Sequence, residues 1–493
     1  MIILSSSPPL INGECMGRNK QGGLLLSFYG DDFTGTTATA EALTVSGVPT
    51  VMFVEPPTPF FLQKQFPEVQ AVGVAGISRS LPADGMEAIL TPAFKKMKRY
   101  HAPLFLYKVC STFDSSPDIG SIGKAVEIGR HIFSSKMVPI LPAAPRFKRF
   151  TIFGYHFAAM GHEVFRLDRH PSMSTHPVTP MNESDLRQHL AKQTSLECGL
   201  IPVLILEKGK GLLKGHVQDL VAKKVPLVLF DALLERHVDR ACSVIWDYVD
   251  KGKTRFCAGS QEMGYGLARA WKHLNLLSSD RKSHLLGAGR KAGQILIVSG
   301  SCASVTGRQI EWASDHEFVG IGIHPERLFE PESSESEMKR VVEAAVSGLQ
   351  EGKSAIIHSA IGAKDARISR TKEKIEGLGL SSQELTERLG QALGVVTRRV
   401  IKASGVTRLV VVGGDISGRI TPALGIWALQ VGRSVGIAAP LCYAYSSHSE
   451  IHGLQIALKG GQVGEDDYFG EARDKKVPDF DSAALGHFKM RKN

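Results

Sequence analysis

At 493 residues the chain exceeds the roughly 250–300 at which a single hydrophobic core stops growing, so two domains are expected. Its 43% hydrophobic and 22% charged residues are ordinary for a soluble globular enzyme, and 50 glycines favour an α/β fold with many tight turns. The net charge of +10 is scattered, without a Lys/Arg block interleaved with aromatics, so no nucleic-acid partner is expected and a small acidic substrate is.

In chain order, the first 21 residues show no basic region leading into an apolar core, and no later run approaches the roughly 18 apolar residues of a span. The expectation is a cytoplasmic protein with no membrane partner. Leu24–Phe28 reads as a buried strand and Thr36–Ser46 as a helix, and between them lies Gly30-Asp31-Asp32-Phe33-Thr34-Gly35. Either aspartate could simply cap the helix, but a cap uses one carboxylate. Two at the carboxyl end of a strand, beside the free N–H groups of a helix start, suit a ligand site.

Further strands are expected at Thr50–Val54, Ala71–Val74, Leu104–Tyr107, Thr151–Phe153, Pro202–Leu206 and Val225–Phe230, with helices at Asp84–Tyr100 and Ser121–Phe133. After the strand at 104–107, Lys108, Ser111, Thr112 and Asp114 supply an ammonium, hydroxyls and a carboxylate able to grip a polyhydroxy acid. In Arg166–Leu186 two His-Pro pairs fix an extended path that presents Asp168, Arg169, His170 and His176 for substrate contact, Arg169 and His176 foremost; no zinc spacing occurs there. The seven dispersed cysteines also form no Cys-x-x-Cys pair, which fits reduced thiols.

A Ser-, Gly- and charge-rich stretch then marks a boundary. The expected organisation is an N-terminal domain over 22–275, a linker over 276–292, a second domain over 293–470 and a charged tail over 471–493, poorly ordered or loosely docked. The second half is read with strands Ile295–Val298, Ala355–His358, Leu409–Val412 and Ser434–Ile437, and helices near Glu335–Gly352, Ser382–Ser404 and Ser417–Leu429. The fold class is thus two α/β domains with largely parallel sheets. Three small-residue turns follow strand-like runs: Ser299-Gly300-Ser301, Gly413-Gly414-Asp415-Ile416 and Gly460-Gly461. Such turns offer backbone amides to phosphate. Gly352-Lys353-Ser354 is not a P-loop, because the upstream glycine, Gly348, is one residue too close.

Taken together, GDDFTGTT, KVCSTFDSSPDIGSIG, RHPSMSTHPVTPMNESDL, VSGSCASVT, GGDISGRI and LKGGQVGEDDYFG resemble the four-carbon acid sugar kinase family, which includes threonate, erythronate and 3-oxo-tetronate kinases. The resemblance runs from about Leu24 to Gly470 and implies an N-terminal domain for the sugar acid, a C-terminal domain for ATP, and a cleft between them. It implies that Asp31, Asp32, Arg79, Lys108, Ser111 and Asp114 face the acid, and that Ser301, Gly413, Gly414, Asp415 and Gly460 face ATP. Cys110, where many relatives have aspartate, and Ile416, where a hydroxyl is common, depart from the pattern.

Phosphoryl transfer needs one base to orient the attacking hydroxyl. Asp32 is the expected base, with Asp31 or Asp114 the alternatives. Lys108 and Arg79 are expected on the substrate carboxylate, and Mg²⁺ on the phosphates, with Asp415 as a direct or water-mediated ligand. The rival reading is a non-catalytic sugar-acid sensor. A homodimer is compatible with either.

Overall fold

The computed structural model describes residues 23–176, 178–249, 252–277, 289–436, 438–478 and 480. They divide into two compact units, one of residues 23–51 and 55–277, the other of 52–54 and 289–480.

The strands that build the N-terminal half are β1 (Leu26–Gly30), β2 (Thr50–Phe53), β3 (Ala71–Ala75), β4 (Leu104–Lys108), β5 (Val138–Leu141), β6 (Arg149–Ile152), β7 (Tyr155–Met160), β8 (Glu163–Arg166), β9 (Cys198–Ile201), β10 (Leu227–Phe230) and β11 (Arg255–Gly259). Seven form a wholly parallel sheet in the order β3-β1-β4-β11-β5-β10-β9. β1, β3 and β4 are buried at every position, as expected for parallel strands covered on both faces, which is why they read as unbroken apolar runs. Phe94, Phe105, Phe133 and Phe256 pack as one aromatic cluster beneath them.

The helix Phe33–Val45 is rich in threonine, a poor helix former, yet most of it is buried. Its hydroxyls bond back to the helix: Thr36 to the Asp32 carbonyl (2.5 Å), Thr39 to Gly35 (3.0 Å) and Thr44 to Ala40 (2.7 Å). Burial therefore leaves these groups satisfied.

Thr151 and Ile152 of the strand expected at Thr151–Phe153 fall in β6, but β6 belongs to a separate antiparallel sheet, β6-β7-β8, and not to the parallel one. Phe153 and Gly154 have φ of +53° and +86°, the two-residue primed turn of a hairpin. Phenylalanine is an unusual occupant, and buried Asp231 supports it by accepting from both turn amides, at 2.6 and 3.0 Å. Pro202–Leu206 is corrected outright: Val203–Glu207 is a short helix, with Val203 and Leu206 buried three residues apart and Leu204 exposed. A five-residue apolar run fits either period, so its pattern could not decide.

The C-terminal unit contains β12 (Leu296–Ser299), β13 (Phe318–Gly322), β14 (Ser354–His358), β15 (Arg408–Val412), β16 (Ile426–Arg433), β17 (Leu441–Ser446) and β18 (Gln455–Lys459), in the order β13-β14-β12-β15-β18-β17-β16. The first five in that order are parallel, while β17 and β16 are antiparallel. Met52 and Phe53 of β2 pair with Leu429 and Ala428 of β16.

Two expected elements are corrected here. The helix expected over Ser417–Leu429 is Gly414–Ala423, ended by Pro422 and by Gly425 at φ +64°, after which the chain runs into β16. The strand expected at Ser434–Ile437 is the turn after β16; Ile437 lies outside the described residues. The chain past Gly470 continues the helix Tyr468–Asp474, whose Tyr468, Phe469 and Ala472 enter the core. Val477 then pairs with Arg290, and the Phe480 ring lies 5.4 Å from Tyr443, so 471–480 is docked; 481–493 lies outside the described residues.

Candidate active site

β1, β3 and β4 are neighbours in parallel register, with Gly30 opposite both Ala75 and Lys108, so the loops that follow them meet at one edge. Asp31 and Asp32 leave β1, Arg79 lies in the turn after β3, and Lys108 ends β4. Arg79 donates through Nε and Nη2 to the two oxygens of Asp31 (3.0 and 2.7 Å) and through Nη1 to Asp32 Oδ2 (2.9 Å). Lys108 Nζ, almost wholly buried, stands 3.9 Å from Asp31 Oδ1.

Asp32 both caps the helix and belongs to this cluster. Its Oδ1 accepts from the Gly35 amide (2.8 Å), and its Oδ2 from Thr34 Oγ1 (2.6 Å) and Arg79. Burial works against its charge, but Arg79, Lys108, Thr34 and the Gly35 amide together hold its carboxyl below the usual range. Burial pushes Asp31 the other way, against the pull of Arg79 and Lys108. A Cβ at Gly35 would run into Lys108 Nζ and Asp32 Oδ1, so a side chain there would displace both groups.

The loop after β4 continues the site. Ser111 Oγ accepts from Arg149 Nη1 (2.8 Å), and Thr112 Oγ1 donates to Asp114 Oδ1 (2.6 Å) and lies 3.0 Å from Cys110 Sγ. Between them Phe113 is held at φ +58°, a strained conformation for an aromatic residue. Arg169 and His176 are not drawn into this cluster. Arg169 is 76% exposed with only a 3.8 Å approach to Asp168, and His176 Nδ1 accepts from the Thr179 amide and hydroxyl, holding its own turn. The His-Pro pairs thus shape that loop, and the contacts of both residues are local.

In the other unit β12, β15 and β18 are adjacent and parallel, with Ser299 opposite Val412 and Val412 opposite Lys459. The three glycine-bearing turns therefore emerge side by side. Gly300 N–H donates to the Val412 carbonyl and Gly413 N–H to that of Lys459. Thr306 Oγ1 ties Ser301 Oγ (3.1 Å) to the Gly461 carbonyl (2.8 Å). The turns pack so closely that a Cβ on Gly300 would strike Ile416, and one on Gly461 would strike Ser301 Oγ. Ile416 is buried there, so its side chain fills the space over Gly300 in place of offering a polar contact. Ser299 is also fully buried, its Oγ accepting from the Ser301 amide (3.3 Å), which makes it part of the turn's support. Gly413, at φ +117°, caps the helix that Gly414 opens, and Asp415 is exposed in its first turn.

The tight turns and helix start fit a nucleotide's phosphates: side-chain-free backbone approaches from three strands, and Asp415 offers a hard oxygen donor for a magnesium ion. Among the described residues no group of three or more His, Cys, Asp or Glu could hold a metal by itself. None of their helices is long and apolar enough to cross a membrane.

Residues 26–267 match the model of a sugar-binding N-terminal domain and residues 296–469 that of a nucleotide-binding C-terminal domain. The chain belongs to the four-carbon acid sugar kinase family. Within it, this chain is 42% identical over 460 residues to a 3-oxo-isoapionate kinase of Paraburkholderia graminis, covering 92% of this chain and 95% of the relative. It is 26% identical to a 3-oxo-tetronate kinase of Pectobacterium atrosepticum, over 91% and 98% of the two chains. A crystal structure from Salmonella typhimurium LT2 superposes with a TM-score of 0.71 at 25% identity, covering 91% of this chain and 98% of that one.

Three groups escaped the sequence reading. Arg149 sits in Arg146-Phe147-Lys148-Arg149, where nothing local separates it from a surface cation. Glu262, fully buried at the start of a helix after β11, pairs with Arg146 Nε (3.0 Å); burial pushes its carboxyl up to about 7. Lys459, the last residue of β18, is fully buried; its Nζ donates to the Gly460 carbonyl (3.0 Å) and lies 5.5 Å from the Tyr468 ring centre. Desolvation lowers its pKa to about 7. A lysine closing an apolar run just before Gly-Gly was the one available signal.

Proposed function

We propose that this chain is an ATP-dependent kinase that phosphorylates a hydroxyl of a 3-oxo sugar acid. The observation that carries the reading is the 42% identity to a 3-oxo-isoapionate kinase, which extends over both units. The family's sugar-binding and nucleotide-binding models support the same division of labour, the acid on the N-terminal unit and ATP on the C-terminal one. ATP, carried with Mg²⁺, supplies the phosphoryl group.

The chain's own residues then have the following roles. Asp32 is the base: its carboxylate is ionised, fixed by Thr34 and Gly35, and takes the proton of the attacking hydroxyl. Asp31 orients Arg79, and Arg79 in turn holds Asp32. Lys108 adds positive charge at the same edge, and Ser111, Thr112 and Asp114 offer polar groups to the sugar hydroxyls. The backbone of Ser301, Gly413, Gly414, Gly460 and Gly461 cradles the phosphates, and Asp415 reaches the magnesium ion directly or through water.

The test is release of ADP from Mg-ATP with 3-oxo-isoapionate, 3-oxo-tetronates, threonates and erythronates. Turnover of a 3-oxo acid in preference to the others is expected. No turnover with any of the panel overturns the reading.

A further inference from the structure

We propose that the guanidinium of Arg149 is the anchor for the substrate's carboxylate, a role that rests on the kinase reading above. The argument begins with which cations of the N-terminal unit are already committed. Arg79 is taken by Asp31 and Asp32, and Lys108 is buried beside Asp31. Arg146 pairs with Glu262 and Glu235, Arg166 with Asp168, and Arg187 with Asp185. The guanidinium of Arg149, half-buried at the start of β6, makes one hydrogen bond among the described residues, to Ser111 Oγ at 2.8 Å, and lies 5.9 Å from the Phe147 ring centre. Among the described residues no carboxylate lies within ion-pairing distance of it. A guanidinium carries five N–H donors, so most of its fork is free for an acid.

Its position is fixed by the strand that carries it. Two residues on, Thr151 Oγ1 meets His156 Nδ1 at 2.9 Å, and His156 Nε2 meets the Ser111 carbonyl at 2.8 Å. A carbonyl can only accept, so Nε2 bears the proton and Nδ1 accepts from the threonine. Burial lowers the His156 pKa to about 4, so the link is neutral and the positive charge at this end belongs to Arg149. This relay ties β6 to the loop after β4.

That loop begins beside the aspartates, where the Asp31 N–H donates to the Lys108 carbonyl at 3.0 Å, and three residues on Ser111 takes the Arg149 bond. Cys110 lies within the fields of Asp114, Arg79, Lys108 and Arg149 at once, and Ser111 lies next to it. An acid laid across Cys110 and Ser111 would place its carboxylate on Arg149 and a distal hydroxyl toward Asp32. The sequence reading put Arg79 and Lys108 on the carboxylate; the bonds of Arg79 to Asp31 and Asp32 and the place of Lys108 beside Asp31 favour Arg149 instead. A bidentate guanidinium also suits a planar carboxylate better than an ammonium does.

The test compares the parent with Arg149→Met and Arg149→Lys. With 3-oxo-tetronate and 3-oxo-isoapionate, Arg149→Met should raise KM by roughly 10²-fold and leave kcat within a few fold, and Arg149→Lys should recover part of the loss. Erythrulose is 3-oxo-tetronate with the carboxylate replaced by CH₂OH. It should compete against the acid equally in parent and variants. An unchanged KM for the acids overturns the proposal, and so does an equal weakening of erythrulose, which would mark a structural role. If Arg149→Met does not fold, Arg149→Lys carries the test, with about a 10-fold rise in KM expected and parental values overturning it. Should the parent turn over no acid, the kinase reading fails by itself. Calorimetric titration with 3-oxo-tetronate then decides: binding to the parent and not to the variant supports the anchor, and any other result overturns it.

Discussion

Arg79 and Asp31 meet as two parallel forks, Nε to Oδ2 at 3.0 Å and Nη2 to Oδ1 at 2.7 Å, with the Asp31 side chain 3% exposed. The third guanidinium nitrogen reaches Asp32, so Asp31 sets the position of the group that holds the proposed base. Asp31→Asn would aim an amide at a guanidinium and leave a charge without its main partner. Folding stability should fall by about 2–4 kcal/mol, read by urea or thermal unfolding. A variant as stable as the parent would show that the fork holds nothing in place.

Asp32→Asn should behave differently. Asparagine caps a helix as well as aspartate, so its amide oxygen can keep the Gly35 bond while its NH2 donates to Thr34 Oγ1 instead of accepting from it, and stability should change by less than in Asp31→Asn. Asparagine cannot take a proton, so kcat should fall by roughly 10²–10⁴ with the KM for ATP little changed. Near-parental turnover in a folded variant would reduce Asp32 to a cap and move the base to Asp31 or Asp114.

The two aspartates illustrate how far the sequence reaches. Their place at a strand's carboxyl end was legible because buried parallel strands are plain apolar runs and the turn residues follow at once. The three glycine turns were legible for the same reason, and the parallel order β12-β15-β18 then explains why they meet. Partners were less legible. Which carboxylate Arg79 takes depends on strand order, since 48 residues separate it from Asp31. Arg149 acquires its setting from a hairpin whose turn is built on Phe153, a residue that does not announce a primed turn. Helix and strand were confused only where apolar runs were short or, as in Ile426–Arg433, buried without alternation.

Gly461→Val tests the nucleotide turns. The added side chain would press on Ser301 Oγ and, at 3.3 Å from its first carbon, Ala303 Cβ, forcing apart the turns after β12 and β18. The expected result is a rise in the KM for ATP of roughly 10-fold or more, or loss of ATP binding, with binding of the sugar acid retained. Calorimetric titration with each ligand reads this. Equal loss of both would show a global defect.

Glu262 gives a pH test in the N-terminal unit. Its folded pKa of about 7 lies above the 4.5 of an ordinary glutamate, so between these values the folded state binds the more protons and stability declines as pH rises. Its Oε2 is buried without a hydrogen-bond partner. Glu262→Gln keeps the shape and cannot ionise, so it should be more stable than the parent above about pH 7, by on the order of 1–3 kcal/mol, with the gain shrinking toward pH 5. A gain that is the same at both ends of that range would rule out proton linkage as its source.

Lys459 gives the opposite sign in the nucleotide unit. Its folded pKa is lowered from 10.5 to about 7, so between these values the unfolded chain binds the more protons and stability rises with pH. Below about pH 7 the ammonium is buried with only the Gly460 carbonyl and the Tyr468 ring beside it, and the cost is greatest there. Lys459→Met should therefore raise stability most in acid, on the order of 2–4 kcal/mol, and progressively less toward pH 10. A chain that keeps so costly a cation next to the turn proposed to cradle phosphate is expected to use its charge on the nucleotide. The same variant should then bind ATP more weakly although it is the more stable protein. Thermal unfolding at about pH 6 and pH 9, with and without Mg-ATP, reads both effects at once. A variant that gains stability and binds ATP as the parent does would leave Lys459 a buried cation with no part in nucleotide binding.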